Sequence, residues 1–299
     1  MYNQIAANRR KSALLMALFV GLCAGIGYIY GYVNQAGSSG LILALVISLG
    51  YTAFSWFFGD KLVLSSNGAV HIENREQNPY IWNLVENLCI ASGQPMPKIY
   101  LIQDNALNAF ATGRDPQHAS IALTTGIIQA LENEELEGVI AHELSHVKNE
   151  DTKVMLLAAV LVGVLSLLGD WVFRTSFLRR RSNDRESGNL GLILMIIGIV
   201  FVIISPIVGQ LIQLAISRQR EYLADASGAL LTRYPEGLAR ALEKIQSSTV
   251  PVARTSAATA HLWIADPKGS SPSLRQRVSS WFSTHPPIEA RIKRLRGLT

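Results

Sequence analysis

Four stretches of the chain are almost wholly apolar, and between them polar and apolar positions interleave as in an ordinary globular protein. The first covers about Ser12–Val33, the second about Gly40–Gly59, the third about Val154–Val172 and the fourth about Leu190–Ile216. Each is close to the ~20 residues that a helix needs to cross the hydrocarbon core of a bilayer. Their interiors carry no charge; Asp170 stands near the end of the third. Charged residues in mid-membrane mark ion and substrate paths. A transporter or channel is therefore disfavoured, and the chemistry is expected outside the lipid.

Arg9, Arg10 and Lys11 precede the first stretch. The stretch is long, has no clear cleavage site and is followed at once by the second, so it reads as an uncleaved signal anchor. Positive charge stays on the cytoplasmic side, which puts the N-terminus there and returns the chain there near Asp60. The third and fourth stretches enclose a basic loop over residues 174–189, with Arg174, Arg179, Arg180, Arg181 and Arg185. Run length argues that both cross. The loop charge argues for the alternative, a shallow hairpin. In either case the two ends emerge on one side, so the residues before Thr152 and after Ser217 share a compartment.

The intervening segments alternate between helical and strand-like patterns. "KLVLSSNGAVHI" alternates around an Asn-Gly turn and suggests a hairpin. "KIYLIQD", "LNAFATG" and "SIALTTGII" read as short strands. "NPYIWNLVENLCIASG", "NEELEGVIAHELSHVKNE", "SRQREYLADASGALLT", "PEGLARALEKIQSS" and "PIEARIKRLRG" read as helices, with Gly or acidic first turns at the expected ends. The fold class is α+β: a mostly helical integral membrane protein with four hydrophobic helices and a catalytic part carrying a small β-sheet. The division is 1–60, a pair of transmembrane helices; 61–151, the first part of the catalytic domain; 152–217, the hydrophobic hairpin; and 218–299, the rest of the catalytic domain.

Composition sharpens this. Hydrophobic residues make up 49% and charged residues 16% of the 299 positions, against about a quarter charged in soluble domains. The net charge of +5 fits loops facing anionic lipid. No aromatic-basic interleaving points to nucleic acid. Cys23 and Cys89 have no CxxC neighbour and read as small buried hydrophobes.

The chemistry lies in "AHELSHVKNED". His142 and His146 stand four apart, so on a helix both imidazoles project from one face and can share one tetrahedral zinc ion. Glu143 sits beside a ligand without being one, placed to take a proton from water activated by the metal. A catalytic zinc site wants a third protein ligand. "REYLAD" offers Glu221, with Asp225 four residues on and on the same face, suited to orient a ligating histidine. The sequence distance between His146 and Glu221 is bridged by the hydrophobic hairpin.

Taken together, "NAFATG", "SIALTTGII", "AHELSHVKNED", "SRQREYLAD" and "STHPPIEARI" resemble the HtpX-type membrane zinc metalloproteases, a gluzincin group related to the CAAX prenyl proteases, over nearly the whole chain. The resemblance implies a zinc endopeptidase of the bacterial inner membrane, multi-pass, with its catalytic part in the cytoplasm. It implies a role in membrane-protein quality control and stress response, with unfolded polypeptides or membrane proteins as substrates and the bilayer as partner. It implies one Zn2+ per chain, held by His142, His146 and Glu221, with Glu143 as base. It sets Asn108 and Ala109 on the strand that holds substrate by edge addition. It also brings His285 to the active site, where an imidazole N–H would stabilise the oxyanion. Arg291 would brace the site through a carboxylate, for which Asp225 is the candidate. Two other readings remain: a CAAX prenyl protease, whose relatives have more spans, and a zinc scaffold without catalysis. If the His146 helix continued into the third stretch, the metal would lie within about 10–15 Å of the membrane surface.

Overall fold

The computed structural model describes residues 2–33, 35–161, 163, 218–256, 258–268 and 286–298. The fourth hydrophobic stretch, the Arg-rich loop, most of the third stretch and His285 lie outside the described residues.

The first two stretches form long helices, α1 (Tyr2–Val33) and α2 (Ser39–Ser66). Both are long and apolar enough to cross a membrane. Between apolar helices in lipid no hydrophobic drive operates, so close contact of small residues must hold them. Gly27 on α1 meets Gly40 and Ala44 on α2 so closely that any Cβ on Gly27 would strike them. Away from this seam α2 leaves Leu43, Val46, Ile47 and Phe57 exposed, an apolar face suited to lipid.

Helix α2 does not stop near Gly59. It continues through "KLVLSS", where alternation suggests a strand. Packing decides the matter: Gly59, Val63 and Leu64 are buried at helical spacing, with Leu156 and Val160 against Gly59. Only Ala69–Ile72, beyond the Asn67–Gly68 turn, is strand β1.

Strands β2 (Lys98–Ile102), β3 (Ala109–Gly113) and β4 (Ala119–Thr124) complete a sheet of order β1-β2-β4-β3. β1 and β2 are antiparallel, β2 and β4 parallel, β3 and β4 antiparallel. β3 is therefore an edge strand, although every one of its residues is buried. Helix α3 (Pro79–Ser92) starts on the Asn78 cap and ends on left-handed Gly93. Helix α4 (Thr125–Ala130) follows β4 directly. Helix α5 (Asn133–Lys148) opens with a capping box between Glu132 and Glu135. Helices α6 (Arg218–Thr232), α7 (Pro235–Ser247) and α8 (Ile288–Arg296) close the catalytic part.

One sheet face packs Ile99, Ile121 and Leu123 into a core with Val85, Ile140, Leu144 and Leu242. The other packs Ile102, Phe110 and Ala122 against Val63, Met155, Leu156 and Trp263. The sheet is thus a layer between the catalytic helices and the membrane-proximal ones. Helix α5 ends at Lys148, Glu150 takes a left-handed conformation with φ 55°, and residues 151–161 are helical again. Helix α5 and the third stretch are not one continuous rod, so a height above the membrane read from a single helix does not apply. Val154, Ala158 and Leu161 instead pack on Leu15 and Phe19 of α1.

Candidate metal centre and active site

Helix α5 carries His142 and His146 on the face turned toward α6, with Glu143 the next residue round, and all three are buried. α6 comes close because Gly228 faces α5: a Cβ there would lie 3.0 Å from the amide nitrogen of His142. That approach brings Glu221 over both histidines. Nε2 of His142 and Nε2 of His146 are 3.2 Å apart. The Glu221 carboxylate lies 3.9 Å from the first and 3.5 Å from the second. One ligand atom from each of the three residues falls within 4.8 Å of the others. Two imidazoles and one carboxylate at such separations match the donor set of a three-ligand catalytic zinc site.

Each imidazole presents its other nitrogen to a carboxylate. His142 Nδ1 is 3.0 Å from Asp225 Oδ1, and His146 Nδ1 is 3.1 Å from Asp151 Oδ2. Arg291, wholly buried on α8, holds Asp225 through Nε (2.9 Å) and Nη2 (2.7 Å) and also donates to the Ile264 carbonyl at 3.2 Å. Asp225 is thus the carboxylate that Arg291 meets. Asp151, by contrast, was not singled out by spacing. It lies past the break after α5, where helical periodicity no longer applies.

Burial and close charged neighbours compete at each of these groups. Burial is the largest influence on Glu143 and pushes its carboxyl up, with Glu221 acting in the same direction, while His142 and His146 oppose. Burial would lower the His146 imidazole, but its hydrogen bond with Asp151 and the charge of Glu221 outweigh burial and raise it to about 9. Burial would raise Asp225, yet the Arg291 charge dominates and lowers it to about 2. Four carboxyl groups, of Glu143, Asp151, Glu221 and Asp225, thus surround the two imidazoles, with Arg220 and Arg291 paired to Asp151 and Asp225.

Ala111 on β3 gives a backbone hydrogen bond to Glu143. Ala109, two residues back, faces the same edge, where its carbonyl accepts from the Ile264 amide at 2.9 Å. The Asn108 side chain donates to the Ala265 carbonyl at 3.1 Å and accepts from its amide at 3.4 Å. The start of the β3 edge is therefore occupied by the chain's own residues 264–265, not open along its length. Leu262, Trp263 and Ile264 leave a cavity of about 10 Å³ over His142, His146 and Glu221, room for one water and little else.

Residues 75–299 match the Peptidase family M48 model. The chain belongs to peptidase family M48. Curated M48 relatives of the chain include a Protease HtpX homolog of Tropheryma whipplei (strain Twist), 43% identical over 298 residues, covering 100% of this chain and 98% of that protein. Another, from Thermoanaerobacter pseudethanolicus, is 44% identical over 303 residues, with 100% and 98% covered. Among solved structures, the crystal structure of S. mikatae Ste24p superposes with a TM-score of 0.52 at 19% identity, covering 99% of this chain and 67% of that one, a likeness of fold. This M48 chain is a membrane-associated metalloprotease, and membership of the family implies a metal ion. The M48 match begins at the helical turn after β1, so the paired membrane helices lie ahead of it.

Proposed function

We propose that the chain is a zinc endopeptidase in which His142, His146 and Glu221 hold one zinc ion and Glu143 is the general base. The observation that carries this reading is the convergence of both Nε2 atoms and the Glu221 carboxylate within 4.8 Å, with Glu143 beside them. Zinc bound there would polarise the scissile carbonyl and make water a nucleophile near neutral pH. The remaining chemistry belongs to the chain. Glu143, its carboxyl raised by burial, takes the proton from the attacking water and hands it to the departing amine. Asp225 and Asp151 fix the two imidazole rings. The β3 edge that carries Asn108 and Ala109 binds an extended peptide by strand addition, with Asn108 anchoring the neighbouring residues 264–265. His285 stabilises the oxyanion.

The substrates proposed are misfolded or damaged membrane proteins, and the role is quality control in the bacterial inner membrane. The chain crosses as a multi-pass protein, with 1–60 as a helical pair, 152–217 as a hairpin, and 61–151 with 218–299 as one cytoplasmic catalytic unit. The exposed apolar face of α2 beside a peptidase centre supports this reading.

The decisive experiment is zinc content and proteolysis of an unfolded protein for wild type and Glu143→Gln. The variant is expected to retain zinc and lose activity by orders of magnitude. Substantial cleavage by it would remove Glu143 from its role. Zinc bound equally well after Glu221→Ala would remove Glu221.

A further inference from the structure

Asp151 lies just past the left-handed turn at Glu150, and it is 1% exposed. Both of its oxygens are used. Oδ2 is 3.1 Å from Nδ1 of His146. Oδ1 accepts from Asn8 Nδ2 at 2.8 Å and from Arg220 Nη1 at 3.2 Å. Asn8 is itself buried, and it belongs to α1, the first membrane helix. Its Nδ2 also donates to the Asn149 carbonyl at 2.9 Å, and its Oδ1 accepts from Arg220 at 3.4 Å. An unbroken line of buried polar contacts thus runs from α1 through Asn8 and Asp151 to a metal-ligand imidazole. One residue along α1, Arg9 holds Glu150 at 2.7 and 3.2 Å, but that pair touches no ligand.

We propose that Asp151 is the positioning residue for His146 and that Asn8 holds Asp151 in place, so that the N-terminal membrane helix sets the metal affinity of the catalytic centre. The proposal rests on the ligand set read above. A ligating imidazole that donates its second N–H to a carboxylate is fixed in tautomer and ring angle. The carboxylate can do this only if its own orientation is fixed. Asp225 has the Arg291 fork from the same catalytic part for this purpose. Asp151 has no such fork. It has one bond from Arg220 at the start of α6 and the shorter one from Asn8. The α1 contact is the one that also ties the turn backbone, at Asn149, to the same side chain. The two histidines are therefore supported from opposite directions, His142 from within the catalytic helices and His146 from the membrane.

The test uses the full chain in detergent, in the Glu143→Gln background to prevent self-cleavage. Zinc affinity is read by competition with a chromophoric chelator, and ligand geometry by the visible spectrum of the cobalt(II) form. His146→Ala and Glu221→Ala are expected to abolish tight binding; if they do not, the ligand reading fails and the proposal with it. With those controls in place, Asp151→Ala is expected to weaken zinc by about 10–100-fold. Asn8→Ala is expected to weaken it by about tenfold and to shift the cobalt spectrum the same way. Arg9→Ala, which loses the neighbouring α1 contact to Glu150, is expected to leave affinity and spectrum unchanged. In the double variant Asn8→Ala with Asp151→Ala, the loss should not exceed that of Asp151→Ala alone, because the two act on one path. Should Asp151→Ala fail to fold, Asp151→Asn, of the same size, carries the same comparison. Wild-type affinity and spectrum in Asn8→Ala overturn the proposal. So does an effect matched by Arg9→Ala, or one that persists undiminished without the Asp151 carboxylate.

Discussion

Arg291 grips Asp225 with two of its nitrogens, at 2.9 and 2.7 Å, and Asp225 in turn faces Nδ1 of His142 at 3.0 Å. The pair joins α8, near the end of the chain, to the helix that carries the candidate ligands. Both side chains are buried, so neither charge has water to fall back on.

Removing one member of such a pair leaves the other charge buried alone. Arg291→Ala is expected to destabilise the protein by about 3–5 kcal/mol, seen as a lowered melting temperature in detergent. Arg291→Lys, which keeps the charge but loses the two-pronged fit, is expected to recover only part of it. Wild-type melting of Arg291→Ala would show that the pair carries no stability.

Glu221 and Asp225 share α6 but have different proposed roles. Asp225→Ala is expected to weaken zinc by about 10–100-fold, the usual cost of losing the partner of a ligating histidine. Glu221→Ala should weaken it far more, since a ligand itself is lost. Chelator competition on both variants decides the order, and equal affinities would refute the assignment.

The docking of α1 should depend on acidity. A hydrogen bond from Arg9 is the main reason that the Glu150 carboxyl sits below its ordinary value of 4.5. A depressed carboxyl contributes stability that is fully present above its unfolded value and is lost as pH falls through the folded one. Between pH 7 and about 5, Glu150→Gln should therefore melt below wild type by a constant margin. Below pH 4.5 that margin should shrink. Melting curves of the two proteins that run parallel down to pH 3 would remove Glu150 from this role.

His285 is assigned to the oxyanion by resemblance, and kinetics can test it. His285→Ala is expected to keep zinc and lose about 10²–10³-fold in kcat with little change in KM, because the hydrogen bond strengthens only in the transition state. A variant that melts earlier, yet whose folded fraction is fully active, would make the histidine structural.

What was legible in the sequence follows the range of the interactions. His142 and His146 are one helical turn apart, so their common face is a local property of α5. Glu221 was readable because Asp225 repeats the same spacing on α6. Asp151 stands in the same short stretch, but the left-handed residue at Glu150 breaks the period that would place it. The bonds of Asn108 and Ala109 to residues 264–265 were equally hidden, being contacts between an edge strand and a loop far along the chain. The strand expected at "KLVLSS" shows the reverse case. Its alternation is real, but burial of Gly59, Val63 and Leu64 against the residues after α5 extends the helix through it. The crossings of the third and fourth hydrophobic stretches, and the place of His285, fall outside the described residues.

The candidate ligands sit on two sides of the third and fourth hydrophobic stretches in chain order: His142 and His146 before them, Glu221 and the Asp225–Arg291 clasp after them. A ribosome making this protein therefore releases the paired histidines well before their third partner exists. During that interval the nascent chain has a base and two imidazoles but no complete cage. The three side chains can meet only after the apolar residues between them have also been made. Until both flanks have been made, the chain therefore holds at most two of the three candidate ligands, and no metal site of this kind can close.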